Sequence, residues 1–560
     1  MSERNIKKSD FVIAYFSMEI ALESDIKTYA GGLGILAGDT LKSAADIRLE
    51  MVGVTLLNNQ GYFKQKIDED GHQQELPVSY NFSNLKKLKN KVSVNIGQDK
   101  VWVGVWQYLI TSHQGYQIPV YLLDTNISKN KSEYRNLTGR LYNSNIEYRL
   151  MQEIILGRAG VKMLKSLGYT PEKFHINEGH GSFVTVELFL KTQGKNNQEK
   201  IKKIQKKCVF TTHTPIKAGH DVFSVELIKK YQPDFPFYLP NLIKNNEVNM
   251  TNLGFYFSDY INGVALSHKI ESKKIFPDYP INFITNGVHS QTWTCDEFKK
   301  IYDQYIPNWR YSSLSLRNAF NIPLKVIWNA HQTAKKELIK YIYLKQKIKL
   351  DPNIFTIGFA RRFTGYKRSN LLFYDIKKLL DIHNKVGKIQ IIYAGKAHPD
   401  DVDGKNMIKN IYKIKEKYKK QINIIFLEGY EIDLAKLMVA GVDIWLNTPL
   451  PPNEASGTSG MKAAHNGVPH FSTLDGWWIE GLINKKTGWA IGQRRKYLDI
   501  KELNKKDAES LYYKLENKIL PRYYNFPERW QETMRYTIAV NASYFNTERM
   551  LQQYIQAAYL

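Results

Sequence analysis

With 560 residues, 43% hydrophobic and 13% aromatic, the chain has ample material for packed interiors but is too long for one compact core, so at least two large domains are expected. Two isolated cysteines, Cys208 and Cys295, support neither a disulfide framework nor a cysteine metal site, and no apolar run approaches the roughly 20 residues that span a bilayer. Lysine and arginine outnumber the acids 79 to 54, a formal charge of +25 that favours anionic ligands.

In chain order, MSERNIKKSD carries no hydrophobic signal core, which predicts a cytoplasmic location and no membrane partner. FVIAYFSMEIAL, from Phe11, reads as an apolar strand, and after ESDIKTYA the turn Gly31-Gly32-Leu33-Gly34 opens a helix. Strand, glycine turn and helix is a layout that brings backbone N–H groups to a phosphate, here without the dinucleotide spacing. Strands are expected at 51–57, 61–67, VWVGVWQYLI and QIPVYLLD, and a long helical stretch lies between Leu137 and Leu167. FHINEGHGS (174–182) and CVFTTHTP (208–215) each read as a strand ending in polar residues before a helix, followed by GVALSH (263–268) and INFITNGVH (281–289). This β-then-α rhythm predicts a doubly wound sheet with function at the strands' carboxyl ends. LKKLKNK (85–91), KIKKIQKK (200–207) and KNMIKNIYKIKEKYKK (405–420) read as solvated helix faces, which argues against nucleic acid as a partner. Among His180, His213, His220 and His289 no pair has ligand spacing with a third carboxylate, so no metal is expected.

The pattern turns helical and charged around Tyr302 to Leu350, where a hinge is placed. IFTIGFARRFTGYKR (354–368) then sets four cations, Arg361, Arg362, Lys367 and Arg368, within eight residues at the end of a buried strand. Such a cluster is costly unless a strong anion meets it. IQIIYAGKAHPDD, INIIFLEGYE and GWAIG continue the alternation; Asp400-Asp401-Asp403 lacks the terminal glutamate of a calcium loop.

Between the last two lies VDIWLNTPLPPNEASGTSGMKAAHNGVPHFSTLDGWWIEG (442–481), around which the rest is organised. It reads as a buried strand, a proline-stiffened loop, a Gly/Ser/Thr turn, a short helix carrying Lys462 and a second strand. N–H groups at the helix start suit an anion. Lys462 can pair with that anion or form a Schiff base with a phosphorylated aldehyde.

EASGTSGMK with NGV and TLDG resembles the cofactor segment of the α-glucan (glycogen and maltodextrin) phosphorylases, and NEGH, GYKR and DGWWIEG resemble the short-form branch. The resemblance runs from about Phe11 to Tyr559 and implies an α/β chain of GT-B type, two Rossmann-like doubly wound domains facing across a cleft. Residues 1–320 would be the N-terminal glucan and sugar domain, 321–530 the pyridoxal phosphate and phosphate domain, and 531–560 a helix returning to the first.

The same resemblance implies that Lys462 carries pyridoxal 5′-phosphate, assisted by Thr458, Tyr430, Arg361 and Gly32. Arg361, Arg362 and Lys367 would form the phosphate clamp. His213, Asn286, Glu454, Ser456, Gly457, Leu33, Glu178 and His180 would meet the substrates, an α-glucan and inorganic phosphate. The implied reaction is retaining phosphorolysis to α-glucose 1-phosphate; a homodimer is compatible with it. A nucleotide-sugar glycosyltransferase of the same architecture and a non-catalytic glucan-binding homologue compete with this reading.

Overall fold

The computed structural model describes residues 11–26, 28–78, 80, 82–493 and 499–560, so MSERNIKKSD lies outside the described residues. The chain divides into two compact units, Met1–Tyr62 with Val78–Ile284 and Met550–Leu560, and Phe63–Pro77 with Thr285–Arg549. The first boundary therefore falls at Ile284 where 320 was expected, and of the expected returning segment 531–560 only Met550–Leu560 goes with the first unit. The stretch read as a hinge is instead an element of the second unit. Its helix Leu324–Gln346 buries Ile327, Ala330, Ala334, Leu338 and Ile342, a stripe at helical spacing.

The first unit contains β1 (Ile13–Ser17) and β2 (Met51–Leu56). Next in the chain comes the hairpin β3 (Lys64–Ile67) and β4 (Gln73–Leu76), which belongs to the second unit. The first unit resumes with β5 (Lys86–Ile96), β6 (Asp99–Thr111), β7 (Gln117–Asp124), β8 (Lys173–Asn177), β9 (Cys208–Thr211), the short pair β10 (Val222–Ser224) and β11 (Glu247–Asn249), β12 (Tyr260–Gly263) and β13 (Ile281–Phe283). Nine of these form a sheet in the order β13-β12-β9-β8-β1-β2-β7-β6-β5. It is parallel from β13 to β7, and β6 and β5 extend it antiparallel.

One expectation fails here: LKKLKNK is not a helix face but the start of edge strand β5. Its continuation alternates with a period of two, Leu88, Val92, Val94 and Ile96 packing on the core while Lys87, Lys89 and Lys91 stay exposed. Lysines on an edge strand discourage pairing with another chain. GVALSH is likewise split, because the strand ends at Gly263 and the helix Leu266–Ile275 follows.

In the second unit β14 (Phe355–Ala360), β15 (Ile389–Ala394), β16 (Asn423–Leu427), β17 (Ile444–Asn447), β18 (His470–Thr473) and β19 (Gly488–Ile491) form an all-parallel sheet ordered β16-β15-β14-β17-β18-β19. Numbered within this sheet the order is 3-2-1-4-5-6, the doubly wound order. The strands are nearly all buried, as expected where helices cover both faces of a parallel sheet. Among the described residues no helix is long and apolar enough to cross a membrane, and no group of three or more His, Cys, Asp or Glu is placed to hold a metal ion.

A buried ion pair fixes the sheet to its long helix. His331 and Lys335, one turn apart, meet Asp443 at 2.8 and 2.6 Å, and Asp443 also accepts the Thr356 N–H at 2.7 Å. Burial alone would raise the Asp443 carboxyl, but Lys335 and His331 hold it below the usual range. Asp443→Asn would leave Lys335 charged and uncompensated, and should cost about 3–5 kcal/mol in urea unfolding. The double variant Lys335→Met/Asp443→Leu should cost less; a single variant no worse than the double would show that the pairing is not what matters.

Candidate active site

In the second unit β14 and β17 are neighbours whose onward connections run to opposite edges of the sheet, the switch point at which open α/β sheets bind ligands. The chain leaves β14 into Arg361-Arg362 and leaves β17 into the loop to Glu454. Arg361 donates through Nη1 to Asn447 and through Nη2 to Glu454 Oε2, which Lys367 Nζ also reaches at 2.6 Å. Burial, reinforced by Arg361, brings the Lys367 ammonium down to about 7. Burial would raise Glu454, yet Arg361 and Lys367 hold its carboxyl at about 2, so it stays ionised.

The fourth cation of the run turns elsewhere. Arg368, at φ +47°, spends its guanidinium on Thr448 O (2.9 Å), Pro449 O (3.0 Å), Asn504 Oδ1 (2.8 Å) and Asp507 Oδ2 (2.7 Å), tying the loop after β17 to the helix Ile500–Lys514. That leaves Arg361, exposed Arg362 and Lys367 as the cationic group.

The loop itself is held by the TLDG turn. Asp475 accepts the Glu454 N–H at 2.8 Å and the Gly476 N–H at 2.9 Å, while Trp477 N–H reaches Ser456 O at 2.9 Å. A Cβ at Gly476 would stand 2.3 Å from Ser456 O, so the two turns require glycine to meet. Burial, with the Glu454 charge added, pushes the Asp475 carboxyl up to about 7 against the two N–H bonds. Sequence reasoning missed Asp475 as a support, although an acid between apolar Leu474 and Gly476 was its signal.

Beyond Glu454, Ser456 buries a hydroxyl that has no hydrogen-bond partner, Gly457 sits at φ +80°, and Thr458 leads into the helix Ser459–Ala464. Lys462 on that helix is only 7% exposed, its Nζ 4.0 Å from the Trp293 ring centroid. Tyr430 follows Gly429 (φ +67°) after β16, and burial lifts its hydroxyl above the usual range. Asn286 also lies in this unit, its carbonyl taken by Arg549 Nη2 at 3.0 Å and its Oδ1 buried without a partner.

Pyridoxal phosphate can be tested against this donor set. A buried amine beside an indole suits an aldehyde and an aromatic ring, and Arg361 and Lys367 share a single fixed carboxylate. Ser456 Oγ and Arg361 Nε are buried with hydrogen-bonding capacity unused. An aldehyde that carries a phosphate meets each of these needs, so the residues fit the group.

In the first unit the switch point lies between β1 and β8, and two acids flank it. Glu19, just past β1, accepts the Ala30 N–H at 2.6 Å and the Gly31 N–H at 3.2 Å, and Tyr142 OH at 2.8 Å. This buried carboxylate fixes the turn that presents Gly32 and Leu33 at the start of the helix Gly32–Asp46. A Cβ on Gly34 would stand 2.9 Å from Glu19 Oε2, whereas Gly32 faces open space. Sequence reasoning passed over Glu19; a lone acid inside FVIAYFSMEIAL was the available signal.

Glu178, after β8, stands at φ +75°, a backbone position that costs a non-glycine residue about 1–3 kcal/mol. Its carboxylate takes His213 N–H (2.7 Å), Thr214 OH (3.0 Å), Gly179 N–H (3.0 Å) and Thr251 OH (3.4 Å). It therefore shapes the His-Thr-Pro turn. Burial brings His213 down to about 4, and its Nε2 meets Asn177 Oδ1 at 2.6 Å, which makes Nε2–H the donor and leaves Nδ1 an acceptor. His180 is the opposite case: although burial disfavours its charge, Asp221 at 3.2 Å raises it above the usual imidazole range.

Residues 240–520 match the family model described as carbohydrate phosphorylase. The chain is 37% identical to the maltodextrin phosphorylase of Thermococcus litoralis, over 99% of this chain and 71% of that one. The chain belongs to the carbohydrate phosphorylase family. It is also 36% identical to the glycogen phosphorylase of Aquifex aeolicus (98% and 86% covered) and 32% identical to that of Mycobacterium tuberculosis (98% and 70%). Residues 26–276 match a second model, the starch synthase catalytic domain, which accords with the doubly wound sheet of the first unit in this phosphorylase. Two α/β units with sheets of this order are the pair of folds expected of the GT-B type.

Proposed function

We propose that this chain is an α-1,4-glucan phosphorylase, cleaving non-reducing ends of a glycogen- or maltodextrin-like glucan with inorganic phosphate to give α-glucose 1-phosphate. The carrying observation is the junction at Glu454, where Arg361 and Lys367 meet one ionised carboxylate at the switch point that also leads to Lys462. Lys462 holds pyridoxal 5′-phosphate, with Thr458, Tyr430, Arg361 and Gly32 as its further contacts. When bound, that cofactor supplies a phosphate whose second pKa of about 6 suits proton exchange near neutrality.

The chain's own groups do the rest. Arg362 and Lys367, helped by Arg361, bind the substrate phosphate and stabilise its charge. The N–H groups of the Gly32-Leu33 turn offer a second set of donors. Glu454, with Ser456 and Gly457, orients sugar hydroxyls; because it stays ionised it accepts hydrogen bonds and donates none. Neutral His213 accepts a sugar hydroxyl at Nδ1, and Asn286 offers Oδ1 to another. Glu178 and His180 complete the sugar side, the former through the turn it holds. Substrate phosphate gives its proton to the glycosidic oxygen as the C1–O bond breaks. One of its oxygens then bonds to C1 from the same face, so the α configuration is retained. A cytoplasmic enzyme that acts as a homodimer completes the proposal.

Glucose 1-phosphate release from maltodextrin and phosphate tests it. The starch synthase match in residues 26–276 favours a nucleotide-sugar reading as the second candidate, so ADP-glucose with maltodextrin is the companion assay. Chain elongation there, with no phosphate-dependent release, would overturn the phosphorylase. Lys367→Met should lower kcat/KM for phosphate about 10²-fold or more, since it removes a donor aimed at the reacting anion. A variant with an unchanged phosphate dependence would take Lys367 out of the clamp.

A further inference from the structure

The hairpin β3–β4 joins the second unit although its sequence lies within the first, and two buried glutamines account for this. Gln65 and Gln73 are 3% and 6% exposed. Gln65 Nε2 donates to Gly395 O (2.8 Å) and Gln73 Oε1 (2.9 Å), while its Oε1 accepts Gly429 N–H (2.9 Å). Gln73 Nε2 donates to Ala397 O (2.9 Å) and Glu75 (2.6 Å), and its Oε1 also accepts Ala397 N–H (2.9 Å).

The backbone groups so engaged lie in the turns after β15 and β16, beyond the sheet ladder. Buried there, they need partners from elsewhere in the chain. Both turns bear on site residues. Gly429 precedes Tyr430, and the next residue, Glu431, meets Lys396 Nζ at 3.1 Å, which also donates to Phe63 O at 3.0 Å. The Gly395–Ala397 turn runs against the clamp backbone: Phe363 N–H donates to Lys396 O at 2.9 Å, and a Cβ on Gly395 would lie 1.9 Å from Arg361 O.

We propose that Gln65 is a positioning residue for phosphate binding, an inference that rests on the phosphorylase reading: its amide, with Gln73, fixes the two turns that set Tyr430 and the Arg361-Arg362 backbone. An apolar side chain of the same length would fill the space but leave Gly395 O and Gly429 N–H unpaired.

Gln65→Met is compared with wild type and with Lys64→Ala, whose side chain is exposed on the same hairpin. Gln65→Met should raise KM for inorganic phosphate about fivefold or more, with KM for maltodextrin changed less than about twofold. Hydrogen exchange should accelerate at Gly429 and Ala397 and stay unchanged elsewhere in the sheet, and Lys64→Ala should do neither. An unchanged phosphate KM, or equal losses for both substrates, would overturn the positioning role. Should Gln65→Met fail to fold, Gln73→Met with the same phosphate-selective rise upholds the role, and its absence overturns it. A wild-type chain without phosphorolysis sinks the phosphorylase reading instead; slow exchange at Gly429 and Ala397, lost in Gln65→Met, would then still uphold the brace, and fast exchange in wild type would overturn it.

Discussion

Lys462→Ala is expected to lower glucose 1-phosphate release by at least ~10³-fold and to yield protein whose near-ultraviolet spectrum no longer responds to borohydride. The amine is buried against Trp293 on a short helix, and alanine is the best residue for that helix, so the backbone should survive the change. What is lost is the buried amine on the helix that follows the loop held by the Asp475 turn and the Arg361-Lys367 pair. Lys462→Arg separates charge from chemistry: it keeps the cation but offers no amine to an aldehyde, and should be as inactive as alanine. A nucleotide-sugar transferase would tolerate both. Full activity in either variant, with an unaltered spectrum, would remove Lys462 and the cofactor from the proposal together.

The alternation of strands and helices was legible in the sequence because parallel strands buried on both faces read as continuous apolar runs, as IFTIGFA and IQIIYA do. The cations that end the first of those runs, Arg361 and Arg362, were legible for the same reason, whereas Glu178 and Glu454 were named through the family resemblance. Local pattern could not reveal where a side chain turns once the strand has ended. Lys367 and Arg368 are adjacent and chemically alike, yet one meets Glu454 and the other braces a loop from Asp507, because Arg368 takes a left-handed backbone angle. Long-range supports were hidden too. Glu19, Asp475 and Gln65 act on groups 11, 21 and 364 positions away, and nothing near them in sequence marks the partner. The lysine-rich LKKLKNK misled because lysines obscure a period of two that emerges only at Val92 and Val94.

Acid should unfold this protein between about pH 6 and pH 4, and buried histidines supply the reason. Burial takes His213 and His268 in the first unit and His465 in the second down to about 4, and His175 and His470 down to about 3. Each binds a proton near pH 6.5 once unfolded but stays neutral in the native state, so the unfolded chain gains protons first as pH falls. Their contribution is complete above pH 6.5 and is lost towards pH 4. Each is worth on the order of 3 kcal/mol at pH 4, set against a domain stability of roughly 5–15 kcal/mol. Asp475 acts with the opposite sign: its native carboxyl holds a proton up to about 7, so it adds stability as pH falls through that range. His180, Glu153 and Glu428, also raised, act in the same sense, while Asp443, Glu178, Asp221 and Glu454, held low, add to the loss in acid, so the direction is unchanged. His470 allows a direct check, since its ring is buried and burial is the main cause of its low value. His470→Phe should unfold at a lower pH than wild type when circular dichroism is followed through an acid titration. An unmoved midpoint would mean that imidazole burial does not govern the transition.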